Sequence, residues 1–325
     1  MTNVYPHGKE YIFTIFDDTD VSTLGNIKPV YDLLCSLGMR TTKTVWPLRC
    51  EEPDSDFTGS ATLEDNEYAK YIKKLADQGF EIAFHGATME SSPREKILEA
   101  LMRFKEVVGY YPRSYACHGK NIDNLYWGNK RFHFGFHRCL YRFLEQSSRL
   151  YLGDVMGSPY FWGDTCRTHI DYVRTFTYCD LNLLNICDSL PYFSPWMPYM
   201  NACFFSAEAN NVEEFNALLS PKRVQKLIKE KGVCILTVHF GKGFVEKGKL
   251  NPRSRYILEN IADTNGWFMP VAQVLDFLRS RRKNIAIKKT QLFLLESKWF
   301  IHAFRRRRWA RSYKKTELDY LKRSF

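Results

Sequence analysis

The chain has 325 residues, 45% hydrophobic and 26% charged, a composition that excludes a disordered or low-complexity protein and a length that suits one large α/β domain with an appendage, or two ordinary domains. Its formal charge is +11, but residues 281–325 hold 15 basic residues against Glu296, Glu317 and Asp319. That segment alone accounts for +12 and leaves the body at −1, so the isoelectric point says little about what the body binds, and an anion-seeking role belongs to the tail.

In chain order, residues 10–16 read as a buried strand, 27–38 as an amphipathic helix stopped by Gly38, and 41–46 as a second strand. Thr62 and Asp65 cap a helix reaching about Gln78, and Gly79–Phe84 is a third strand ending on His85. Ser92-Pro93-Arg94-Glu95 has the form of a capping box with Pro at the first helical position, opening a helix to about Val108. The fourth strand is Ser114–Cys117. A long middle section follows, then a buried strand Gly232–Val238 ending on His239, a helix over 253–262, a strand Trp267–Val271 and a helix to about Arg281. Strands alternating with helices in one direction predict a parallel, barrel-like α/β fold.

In such barrels reactive groups come from the carboxyl ends of strands. Asp17, Asp18, His85, His118 and His239 all fall at or just beyond expected strand ends. Adjacent carboxylates after an apolar run are costly unless used. At a strand end both can turn to one cavity, one as a metal ligand and one as a general base, although Asp17-Asp18-Thr19-Asp20 also reads as an Asp-rich turn. The middle section, 110–205, holds 23 of the 50 aromatic residues. Most of these rings must be core, and the excess suits a wall on which sugar faces stack. Trp127, Trp162, Asp164 and Arg174 are the candidate substrate contacts there. His133, His137 and His169 read as structural.

The chain is similar here to the polysaccharide deacetylase superfamily (NodB-homology, carbohydrate esterase family 4) over roughly residues 10–280. Ile15-Phe16-Asp17-Asp18 resembles its T-F-D-D motif, Leu236-Thr237-Val238-His239 its late L-x-x-H motif, and Gly266 to Asp276 its last strand and helix. The resemblance implies a (β/α)7-type irregular barrel over residues 1–282, with an aromatic-rich section at 120–206. It further implies Asp17 as general base, Asp18 as metal ligand and His239 as general acid. The family's H-[S/T]-x-x-H motif is broken, because His85 is followed four residues later by Met89. A borderline divalent ion gains little from a thioether. By position at the next strand end, His118 is the expected replacement, giving Asp18, His85 and His118 around a divalent ion, zinc in preference to other first-row ions. Cys117 is the less favoured substitute, because consecutive strand residues are expected to point to opposite faces.

Nine cysteines with no C-x-x-C read as buried hydrophobes in a reducing compartment. There is no apolar signal core, and no window approaches the roughly 18 uninterrupted apolar residues of a membrane span. A cytoplasmic location is expected. The tail, 283–325, combines an apolar stripe (Leu292, Leu295, Trp299 with Phe293, Phe300, Phe304) with Arg305–Arg308 and Trp309. It is expected to reach an anionic membrane on its inner face, with docking on the barrel as the bland reading, nucleic acid as the rival partner and no specific nucleic acid expected. The functional expectation is metal-dependent removal of an acyl group from a sugar, in the setting of a lipid-linked glycan of cell-surface polysaccharide metabolism. Metal-free glycoside hydrolysis and non-catalytic carbohydrate binding stand as alternatives.

Overall fold

Seven parallel strands form the centre of the computed structural model, which describes residues 5–51, 59–145 and 149–310. They are β1 (Tyr11–Asp17), β2 (Thr42–Val45), β3 (Glu81–Phe84), β4 (Ser114–Tyr115), β5 (Tyr172–Tyr178), β6 (Ala202–Glu208) and β7 (Val233–Val238), paired in chain order. β7 returns to β1 in register from Ile12 opposite Val233 to Asp17 opposite Val238, so the sheet closes into a (β/α)7 barrel. Every residue of β1, β2, β3 and β7 is buried. Inward side chains meet one another and outward ones meet helices, which is why β1, β3 and β7 are largely apolar rather than alternating, while β2, Thr42-Lys43-Thr44-Val45, is buried but mostly polar.

The crossovers are α1 (Leu24–Ser36), α2 (Asn66–Asp77), α3 (Arg94–Val108), α4 (Gly135–Glu145), α5 (Gly163–His169), α6 (Val212–Leu218) and α7 (Pro221–Lys229), followed by α8 (Pro252–Ala262), α9 (Val271–Ser280) and α10 (Lys289–Ala310). α1 opens with a reciprocal cap: the Asn26 amide donates to Thr23 Oγ1, and the Thr23 amide donates to Asn26 Oδ1. The box expected at Ser92 is absent. Pro93 is the N-cap residue, the Ser92 amide donates to Asp123 Oδ1, and the Ser92 hydroxyl lies against Glu90 O and Thr88 Oγ1. The strand expected at 267–271 shrinks to Gly266–Trp267, paired to β1 outside the ring, because Pro270 cannot donate to a ladder and instead precedes α9.

The tail helix docks on the barrel. Leu292 and Leu295 are buried, Trp299 packs against Phe132 and Phe176, and Phe300 stacks on Phe132. Glu296, fully buried, accepts from the His133 amide at 2.6 Å and lies 2.7 Å from His137 Nδ1. Most of the apolar stripe expected to face a membrane is therefore spent inside the molecule, while Phe293 and Phe304 stay exposed. Side chains from 307 onward lie outside the described residues, as does the chain beyond 310. Among the described residues no helix is long and apolar enough to cross a membrane.

Because Leu295 is part of the core, Leu295→Ala is expected to cost about 2–5 kcal/mol in chemical denaturation. A loss under about 0.5 kcal/mol, the ordinary surface value, would show the helix undocked in solution.

Candidate active site

The carboxyl ends of the strands surround a cavity of about 580 Å³. Asp18 and Asp20 enter it after β1, His85 after β3, His118 after β4, Arg174 from β5 and His239 after β7. This is the end at which loops leave the strands, so polar groups sit there without breaking the ladder.

Asp17 and Asp18 part company. The strand continues through both, with the Asp18 amide donating to Val238 O at 2.8 Å, and consecutive side chains therefore take opposite faces. Asp17 points into the wall. Its carboxylate lies 3.0 Å from Lys43 Nζ, accepts from the Tyr31 hydroxyl at 3.0 Å and from the Phe240 amide at 2.8 Å, and both ionic partners are fully buried. Burial pushes its carboxyl up, with Lys43 and the two donors opposing. The general-base role expected for Asp17 does not suit this position, since it does not line the cavity.

Asp18 faces inward but is held by a two-pronged ion pair, Arg174 Nη1 to Oδ1 at 2.9 Å and Nη2 to Oδ2 at 2.7 Å. Arg174 also donates to Thr237 Oγ1. Burial opposes ionisation of Asp18, yet Arg174, His85 and His239 hold its carboxyl below the usual range. The residue that gathers the site is Asp20. Its Oδ1 lies 3.3 Å from His85 Nε2, its Oδ2 lies 3.1 Å from His239 Nε2, and Lys242 Nζ is 3.5 Å away. Against burial, Lys242 and both imidazoles keep Asp20 well below the ordinary carboxylate value. Nδ1 of His85, Nδ1 of His239 and Asp20 Oδ1 itself are buried without a hydrogen-bond partner, so Asp20 meets the two imidazoles at ion-pair distance.

Gly241 allows this meeting. A Cβ there would come within 2.7 Å of the Val21 carbonyl and 2.8 Å of Asp20 O, so the loops after β7 and β1 touch only because the side chain is missing. Asn26 Nδ2 ties the same region by donating to Val21 O at 2.8 Å.

A divalent ion held by Asp18, His85 and His118 is the cofactor expected from the sequence, and the residues present do not fit it. Both oxygens of Asp18 are taken by Arg174. His118 lies with Nδ1 3.0 Å from Asn121 Oδ1, its ring 6.2 Å from that of His85. Met89 packs on Trp46, away from the cavity. Asp18, Asp20, His85 and His239 do lie close together, but among the described residues no group of three or more His, Cys, Asp or Glu is arranged to hold a metal ion. A dication at Asp18 or Asp20 would also meet Arg174 or Lys242 at the same oxygens.

Of the expected substrate contacts, Trp127 and Arg174 line the cavity and two others do not. Trp162 is 1% exposed and donates through Nε1 to Asp123 O in the core. Asp164 pairs with Arg94 on the outer surface, at 2.6 and 2.8 Å. Asp20, Lys242 and Lys43 were missed. The spacing of Asp20 two residues after Asp18 was the available signal, whereas nothing local marks the two lysines.

The molecule is thus a closed seven-stranded parallel α/β barrel with an imidazole–carboxylate cluster at its carboxyl-end mouth. No family model and no curated protein matches the chain. Solved structures similar to it include a Mycobacterium smegmatis protein assigned as a polysaccharide deacetylase, with 12% identity, TM-score 0.49, and coverage of 88% of this chain and 96% of that one. Puue allantoinase is similar at 11% identity and TM-score 0.48, covering 85% and 92%. A family 4 acetyl xylan esterase from Clostridium thermocellum, in complex with a cobalt ion, is similar at 12% identity and TM-score 0.40, covering 85% and 98%.

Removing one member of the Asp17–Lys43 pair strands a buried charge, so Asp17→Ala is expected to lower stability by about 3–5 kcal/mol in urea unfolding. A neutral effect would show that the pair is not formed. A second expectation concerns the loop between β4 and Trp127. There Asp123 is 1% exposed and accepts from the Ser92 amide, and burial pushes its carboxyl up to about 7. The folded state thus binds this proton more tightly than the unfolded chain, and stability falls as pH rises, from about 4 until the folded group has ionised near 7. Asp123→Asn is expected to remove a loss on the order of 4 kcal/mol across that window, read as melting temperature against pH; parallel curves for the two proteins would contradict it.

Proposed function

We propose that this protein is a hydrolase that removes an acyl group from a sugar or glycan, using the Asp20–His85–His239 unit and no bound divalent ion. The observation that carries the reading is one ionised carboxylate shared by two imidazoles at the mouth of a cavity. The resemblance of Ile15–Asp18 and Leu236–His239 to deacetylase motifs supports the substrate class.

In this reading the Asp20 charge, at ion-pair distance from Nε2 of both rings, orients them toward the substrate, as a carboxylate does for a catalytic imidazole. His85 accepts a proton from the attacking water. His239 donates one to the departing amine or alcohol oxygen, which leaves the acyl group as a carboxylate. Lys242 and Arg174 supply fixed positive charge beside the oxyanion that forms at the carbonyl, where a site shielded from water makes such charge effective. Trp127 offers the ring face for the sugar. Asp18 is a positioning residue that holds Arg174.

The test is acetate release from N-acetylated chitooligosaccharides and O-acetylated xylan by the full chain in excess chelator, beside Asp20→Asn and His239→Asn. Acetate release that survives chelation and falls about 10²–10⁴-fold in either variant is expected. No release from any acetylated sugar, or activity that appears only with added divalent ion, would overturn the reading. Binding of sugars without turnover would favour a non-catalytic carbohydrate-binding role.

A further inference from the structure

The buried cations around the cavity are matched with carboxylates, with one exception. Arg174 meets Asp18 and Lys242 meets Asp20, the partly exposed Arg306 meets Glu208, and in the wall Lys43 meets Asp17. Arg131, at the end of the short 3₁₀ turn Gly128–Arg131, is 8% exposed and lines the same cavity, yet no carboxylate among the described residues pairs with it. Its Nε is buried without a hydrogen-bond partner, and its one contact with a backbone acceptor is Nη1 to Thr175 O at 3.5 Å. What surrounds it is aromatic. The guanidinium carbon lies 4.4 Å from the Trp127 ring centroid and 4.7 Å from that of Trp299, with Phe176 and Tyr141 at 5.6 and 5.5 Å.

Rings of this kind attract a guanidinium, which steadies the cation but satisfies none of its N–H groups. Leaving a buried charge and a buried donor unmatched is costly, and the cost is recovered when an oxyanion arrives. A rigid planar fork presents paired N–H groups along its edge, which suit two coplanar acceptor oxygens.

We propose that Arg131 binds an anionic group on the substrate, a carboxylate or a phosphate, so that the cavity takes acidic sugars in preference to neutral ones. The proposal rests on the hydrolase reading for its sugar class and adds the charge that selects within it. Trp127 and Trp299 are positioning residues for the guanidinium, and Arg131 is the specificity determinant.

The experiment is calorimetric titration of the full chain with D-glucuronate, D-glucose 6-phosphate and D-glucose, in wild type, Arg131→Met and Arg131→Lys. At least one acidic probe is expected to bind about tenfold or more tighter than glucose to wild type. Glucuronate preference assigns the carboxylate and glucose 6-phosphate preference the phosphate. The preference should vanish in Arg131→Met and persist in part in Arg131→Lys. Equal affinities for all three in wild type, including no binding by any, would overturn the proposal without need of a variant, as would an Arg131→Met protein that keeps the preference. The same titration on Asp20→Asn separates the two readings: an anion preference retained there, with acetate release absent throughout, sinks the hydrolase reading and leaves Arg131 as the binding determinant.

Discussion

Three carboxylates within four residues, Asp17, Asp18 and Asp20, are each exposed by no more than 6%, and a charge in such a place must be matched where it lies. Their partners come from remote parts of the chain: Lys43 from β2, Arg174 from β5 and Lys242 from the loop after β7. None of these reaches its carboxylate unless β1 lies between β2 and β7 and faces β5 across the interior. Closure of the barrel and neutralisation of the site are therefore one event. An open sheet would leave some of these charges buried and unpaired.

The same pairing shapes the chemistry available. Arg174 occupies the oxygens of Asp18 that a metal would need, so what remains at the mouth is a set of fixed charges around Asp20 and two imidazoles. Fixed, oriented charge has little reorganisation to undergo when a reaction creates new charge. The Gly241 contact and the Asn26 tie keep the Asp20 loop in place, which is the local condition for both imidazoles to share one carboxylate.

Much of the barrel was legible because parallel strands buried on both sides read as largely apolar runs: β1, β3 and β7 stand close to where that pattern puts them, and β2, mostly threonine and lysine, stands close to the strand expected at 41–46. β5 and β6 were hidden within the aromatic middle section, where rings placed for core packing blur any period. The histidines after β3, β4 and β7 were readable as strand-end residues, and they line the cavity. The choice between Asp17 and Asp20 was not readable, because it turns on how far the strand persists, and that is set by a hydrogen bond to Val238, more than two hundred residues away. The tail's stripe was visible, but its partner was not. Periodicity marks a face that must be covered and carries no information on whether lipid or the chain's own Phe132 and Phe176 cover it.

The docked helix α10 contributes more than stability, since Trp299, His302, Ala303 and Arg306 form part of the cavity wall. Synthesis runs from the amino terminus, so strands β1–β7 and their ionic pairs leave the ribosome before this wall exists. A nascent chain that has already closed its barrel still presents an open-sided cleft, in which Arg131 lacks the Trp299 ring and Glu208 lacks the Arg306 guanidinium. The cavity wall is thus complete only in a chain translated through its final described helix.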